Sequence, residues 1–258
     1  MNYKIGGILM NSKRFKLFTL LVVMILTMSL MVACGKNTTE PADKSGDNST
    51  DVAAIKTMTG EELVKQNSGK EKDKVLIIDV RSPEEYKAGH IQHAINMNIE
   101  GFEGRIGELE DLKDFPIITY CNSGKKSGQV AEILANNGFK DVTNAAGVKE
   151  FEYDLVHYDD LRGAAFQEFI DENKDMVLVD VRPEKQVADE GMIEGAINVP
   201  FDAVESNIDK LPKDKTIALY CNTGTKSAEV AKQLEDIGYE NIVNAIEGVK
   251  EFQFVLVK

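Results

Sequence analysis

Two cysteines, Cys121 and Cys221, lie in nearly the same octapeptide: Tyr-Cys-Asn-Ser-Gly-Lys-Lys-Ser over 120–127 and Tyr-Cys-Asn-Thr-Gly-Thr-Lys-Ser over 220–227. A short apolar strand pattern precedes each cysteine and a helical pattern follows it. A thiol placed there meets converging backbone N–H groups and the positive end of the helix dipole, both of which favour the thiolate. Gly124 and Gly224 let the backbone curve inward, so that several N–H groups face one point and form a nest for an anion. Asn122, Ser123, Lys125, Lys126 and Ser127 complete the first loop, and Asn222, Thr223, Thr225, Lys226 and Ser227 the second. The lysines add positive charge near the rim. The serines are expected to cap the following helices and to donate toward the sulfur. Such a thiolate is placed to act as a nucleophile.

The elements around the loops also come in pairs. Asp79-Val80-Arg81 returns as Asp180-Val181-Arg182, Ala94-Ile95-Asn96 as Ala196-Ile197-Asn198, and Gly147-Val148-Lys149-Glu150-Phe151 as Gly248-Val249-Lys250-Glu251-Phe252. A chain of 258 residues with this repeat divides into two copies of one domain, each large enough for its own core. The continuous apolar runs at 75–80 and 176–181 predict strands buried on both faces, and 117–120 and 217–220 predict the strands that enter the loops. Val130, Ile133 and Leu134 in one copy, and Val230 and Leu234 in the other, have helical spacing, with Gly138 and Gly238 where those helices should stop. Thr59 and Glu62 read as a capping box opening a helix over 61–65, and 164–171 has helical spacing. The expected class is α/β, each domain a central parallel sheet flanked by helices, with both cysteines at the carboxyl ends of strands where ligands bind.

With Asp-Val-Arg, Gly-His-Ile, Ala-Ile-Asn and Tyr-Cys-x-x-Gly-x-x-Ser in order, residues 57–258 resemble the rhodanese family in tandem form. The resemblance implies a sulfurtransferase. Each loop cysteine would take sulfane sulfur from a small anionic donor such as thiosulfate or polysulfide, hold it as a persulfide, and pass it to a thiol or cyanide-like acceptor, with no metal or organic cofactor. Related phosphatases and arsenate reductases resemble Cys-x5-Arg, a wider cradle, whereas Cys121 to Lys126 counts Cys-x4-Lys. Active members often carry Arg where this chain has Asn122 and Lys126. Lysine supplies charge without a planar two-pronged grip. The second copy has Met192 where the first has His90, and one loop lysine where the first has two, so the first is expected to bind an anion better.

Other readings stay open beside this one. Cys121 and Cys221 could form a disulfide, or act as a non-catalytic persulfide carrier or redox sensor, and phosphatase or arsenate reductase activity is the remaining alternative. Asp79, Arg81, Asp180 and Arg182 read as scaffold that satisfies loop backbone groups and each other. Arg81 with Glu85 is a plausible pair, and His90 is expected to fix a turn.

Lys4, Lys13, Arg14 and Lys16 precede an uncharged apolar run that ends in Leu30-Met31-Val32-Ala33-Cys34. This has the layout of a secretory signal and resembles a lipoprotein lipobox, which implies lipidation of Cys34 and a place on the outer face of a cell membrane. An uncleaved anchor helix is the alternative. The expected organisation is a signal over 1–34, a disordered tether over 35–52, and domains over 53–155 and 156–258. The signal holds four of the 30 basic residues and none of the 43 acidic ones, which leaves 26 against 43. That balance argues against nucleic acid as a partner, because such binding needs a basic surface. Attraction for an anion must be local.

Overall fold

The computed structural model describes residues 53–258, so the expected signal, Cys34 and tether lie outside the described residues. Among the described residues no helix is long and apolar enough to cross a membrane.

Ten strands form two five-stranded parallel sheets. In the first domain they are β1 (Lys56–Met58), β2 (Leu76–Asp79), β3 (Ala94–Asn96), β4 (Ile117–Tyr120) and β5 (Val142–Ala145), in the order β1-β5-β4-β2-β3. In the second they are β6 (Asp159–Leu161), β7 (Met176–Asp180), β8 (Ile197–Asn198), β9 (Thr216–Tyr220) and β10 (Ile242–Ala245), in the matching order β6-β10-β9-β7-β8. The helices are α1 (Gly60–Gln66), α2 (Pro83–Lys87), α3 (Phe102–Arg105), α4 (Lys125–Asn136), α5 (Gly163–Glu172), α6 (Glu184–Glu190) and α7 (Thr225–Asp236). Two short antiparallel pairs, His90–Ile91 with Leu155–Val156 and Met192–Ile193 with Leu256–Val257, tie the end of each domain to its middle.

Alternation along the buried strands sends side chains into two cores. Leu76, Ile78 and Ile117 pack with Phe102, Val130, Leu134 and Phe139 on one face of the first sheet, and Ile77, Ile118 and Tyr120 pack with Leu63 on the other. Each such aliphatic side chain taken from water contributes about 1.5–3 kcal/mol. The second domain repeats this with Val179, Ile217 and Leu219 against Val230 and Leu234, and with Leu178, Ala218 and Tyr220 against Phe166. Along α4, Ser127, Val130, Ala131, Leu134 and Ala135 form the buried stripe. Gly138 and Gly238, at φ +86° and +87°, follow the caps Asn137 and Ile237 and end α4 and α7 as their spacing predicted. The Thr59–Glu62 capping box also forms.

This layering fixes where the cysteines go. β4 and β9 are the central strands of their sheets, and Cys121 and Cys221 follow their last residues directly.

Candidate active site

Cys121 is 2% exposed, at the floor of a loop that turns into α4 through Gly124 at φ +69°. The Ser127 hydroxyl lies 3.4 Å from its sulfur. Burial pushes the thiol up, but that hydroxyl together with the N–H groups of Ser127, Ser123 and Lys126 outweighs it, so the pKa lies below the ordinary thiol value. The N–H groups of Lys126 and Ser127 are free to face the sulfur because the first turn of a helix leaves its N–H groups without partners in the helix, and Ser123 adds its own from the loop. Ser123, Lys125 and Lys126 are exposed at the mouth, and Asn122 and Gly124 are half-buried. Lys125 and Lys126 thus put two exposed ammonium groups on the first turn after the loop.

The second loop repeats the backbone path, with Gly224 at φ +79° and Ser227 Oγ 3.5 Å from Cys221 Sγ. Its surroundings differ. Thr223 and Thr225 are half-buried where Ser123 and Lys125 are exposed. Lys226 is exposed but engaged, paired with Glu229 at 3.0 Å and 4.0 Å from the centre of the Phe201 ring. Both cysteines are free, so the disulfide reading does not describe this structure.

Residues 61–151 and 164–254 match the model of the rhodanese-like domain. The chain belongs to the rhodanese family. It is 42% identical over 73 residues to the thiosulfate sulfurtransferase PspE of Escherichia coli, an alignment covering 28% of this chain and 70% of that protein. It is 30% identical over 78 residues to a sulfurtransferase of Allochromatium vinosum, covering 30% of this chain and 72% of the relative. A tRNA uridine(34) hydroxylase of Cytophaga hutchinsonii is 35% identical over 81 residues, 30% of this chain, but the match spans only 26% of that enzyme.

In this tandem rhodanese the Asp-Val-Arg motifs are buried ion pairs behind the loops. Arg81 Nε and Nη2 meet Asp79 at 2.9 and 2.5 Å, and Arg81 Nη2 also donates to the Gly89 carbonyl. Arg182 repeats the arrangement with Asp180 and the Gly191 carbonyl, and adds Glu190 at 3.0 Å. Neither arginine reaches the cysteines by a hydrogen bond. The expected pairing of Arg81 with Glu85 is not formed, because Asp79 already takes the guanidinium. Glu85 instead accepts from Asn122 Nδ2 at 2.7 Å, which holds its carboxyl below the usual range, and closes a capping box with Ser82. Gln186 makes the corresponding link to Asn222 at 2.8 Å.

Ser127 and Ser227 are not the N-caps. Gly124 and Gly224 hold those positions, and the serines lie a turn further in, fully buried, where their hydroxyls point at sulfur. His90 is buried and stacked on Tyr86 at 3.6 Å, with Nδ1 3.1 Å from the Tyr86 carbonyl. Burial lowers it to about 3, so it is a packing residue with no proton to exchange near neutrality.

The Gly-Val-Lys-Glu-Phe repeats proved to be part of the site. Val148 N–H and Lys149 N–H donate to the carbonyls of Cys121 and Asn122 at 3.0 Å, and Val249 and Lys250 do the same for Cys221 and Asn222. A Cβ on Gly147 would lie 2.3 Å from the Asn122 carbonyl carbon. Asn144 is the other unforeseen residue: it accepts from Ser127 Oγ at 2.6 Å and donates to the Gly124 carbonyl at 2.9 Å. Its recurrence as Asn244 was the available signal.

Proposed function

We propose that this chain transfers sulfane sulfur through a persulfide on Cys121, with Cys221 as a second nucleophile. One observation carries the reading: the Cys121 sulfur is ringed by the Ser127 hydroxyl and three backbone N–H groups that favour its charged form. With thiosulfate as donor, the thiolate attacks the outer sulfur, a new S–S bond forms, and sulfite leaves with the electron pair of the broken one. The persulfide is again an anion, with its charge on the outer sulfur one S–S bond beyond Sγ, where the N–H groups of the loop and the nearby lysines favour it. A thiol or cyanide then attacks the outer sulfur and the thiolate returns. The relatives named as sulfurtransferases support this chemistry, and the exposed Lys125 and Lys126 supply attraction for the donor.

Steady-state assays on Cys121→Ser, Cys221→Ser and the double variant, with thiosulfate and polysulfide as donors, test the proposal. Cys121→Ser should lose most turnover and the double variant all of it. Wild-type turnover in the double variant contradicts the reading, and a persulfide that forms once and is never discharged points to a carrier. We also propose that Cys34 carries a lipid that holds the chain at the outer face of a membrane. Metabolic labelling with a fatty acid should mark the wild-type protein and not Cys34→Ser.

A further inference from the structure

The carbonyl that follows the last strand of each sheet's cysteine-side pair is satisfied differently in the two domains. In the first, the Tyr153 hydroxyl donates to the Ala146 carbonyl at 2.8 Å. At the position of Tyr153 the second domain has Phe254, which has no hydroxyl to give. Its carbonyl, on Ile246, accepts instead from Lys72 Nζ at 2.8 Å, and Lys72 belongs to the first domain. The same ammonium donates to the Thr223 carbonyl inside the Cys221 loop and pairs with Asp73 at 2.9 Å. Three acceptors use its three hydrogens.

Lys72 is 6% exposed, and a lysine is rarely buried unless its charge is fully paired. It has no counterpart in the repeat. It lies in a short 3-10 helix, Gly69–Lys74, that the second domain lacks between α5 and β7, and among the described residues no side chain donates to the Ser123 carbonyl. A peptide unit is planar with its C=O and N–H pointing opposite ways. Anchoring the Thr223 carbonyl therefore fixes the direction of the Gly224 N–H within the loop. The fit is close, since a Cβ on Gly224 would lie 2.3 Å from the Ile246 oxygen that Lys72 holds.

We propose that Lys72 is a positioning residue for Cys221: the first domain supplies, across the interface, the donor that the second domain lacks, and the shape of the second cysteine loop depends on it. This rests on the reading of Cys221 as a nucleophile, but its test does not require sulfur transfer, so the two stand or fall separately.

The test is iodoacetamide alkylation of the full chain across a pH series, followed for each cysteine by peptide mass spectrometry. Lys72→Met should slow alkylation of Cys221 about tenfold near neutral pH and leave the rate at Cys121 in place. Lys72→Arg keeps a charged donor for the Thr223 and Ile246 carbonyls and should hold the Cys221 rate closer to wild type than Lys72→Met does. If Lys72→Met does not fold, Lys72→Gln, uncharged and shorter, takes its place and should show the same selective slowing at Cys221. An unchanged Cys221 rate, equal slowing at Cys121, or a Lys72→Arg variant as slow as Lys72→Met overturns the proposal.

Discussion

The Ser127 hydroxyl stands 3.4 Å from the sulfur of Cys121 and 2.6 Å from the side-chain oxygen of Asn144. One hydroxyl proton thus has two acceptors. While Cys121 is a thiol the shorter contact to Asn144 holds that proton, and ionisation of the sulfur makes a charged acceptor that competes for it.

Ser127→Ala removes this donor while the backbone N–H groups remain. The Cys121 alkylation profile should move to higher pH by about one unit, since a hydrogen bond to a charged group contributes about 1.5–3 kcal/mol and sulfur is at the weak end. At neutral pH the variant should be slower, with the same limiting rate in alkali. A profile that coincides with wild type would show that the N–H groups alone set the ionisation.

Gly147→Ala places a methyl group 2.3 Å from the Asn122 carbonyl carbon and 2.5 Å from the Ser123 nitrogen. The obstacle is the Asn122–Ser123 peptide unit of the cysteine loop, not a side chain that could swing aside. The cost should be at least about 1–3 kcal/mol in urea unfolding, as for other overpacked sites. Gly104→Ala, with open space around it, is the control and should stay near wild type.

Asp79→Ala strands the Arg81 guanidinium, which is 5% exposed. Loss of one partner from a buried pair costs about 3–5 kcal/mol. Asp79→Ala with Arg81→Met should recover part of that loss. Denaturant midpoints decide it, and a single variant as stable as wild type would show the pair to be dispensable.

At the domain interface Asp160 accepts from His93 N–H at 2.6 Å and from Asn244 Nδ2 at 2.7 Å. Burial raises its carboxyl to about 7, with those two donors and Lys72 pulling it back only in part. An unfolded aspartate titrates near about 3.9, so between the two values the native chain binds a proton that the unfolded chain does not. The stability this confers is complete below about pH 4 and is lost as pH rises through about 7, at up to about 1.4 kcal/mol per pH unit. Asp160→Asn cannot titrate. The margin of wild type over that variant in urea unfolding should narrow between about pH 5 and pH 8, and a constant margin contradicts the assignment.

The repeat, the parallel strands and both cysteine loops were legible in the sequence because each is local: a run of buried aliphatics, a cysteine before a glycine, a helical stripe. Ser127 faces the sulfur as its spacing implies, but it is not the helix cap, since a glycine at positive φ takes that place. Glu85 was paired with the nearest arginine in sequence, when the fold gave that arginine to Asp79 and Glu85 to Asn122. Lys72 left no trace, because its partner in the Cys221 loop lies 151 residues away and the short helix that carries it is not repeated. Contacts between the copies are what a repeat cannot reveal.

The central claim is that sulfur passes through Cys121. The most direct measurement is the mass of the Cys121 peptide after the full chain is treated with thiosulfate, and again after cyanide is added. A gain of about 32 Da, one sulfur atom held as a persulfide, that disappears as thiocyanate forms is the predicted result. Thiocyanate produced while the Cys121 peptide never gains that mass, in wild type and in Cys221→Ser alike, would contradict the account.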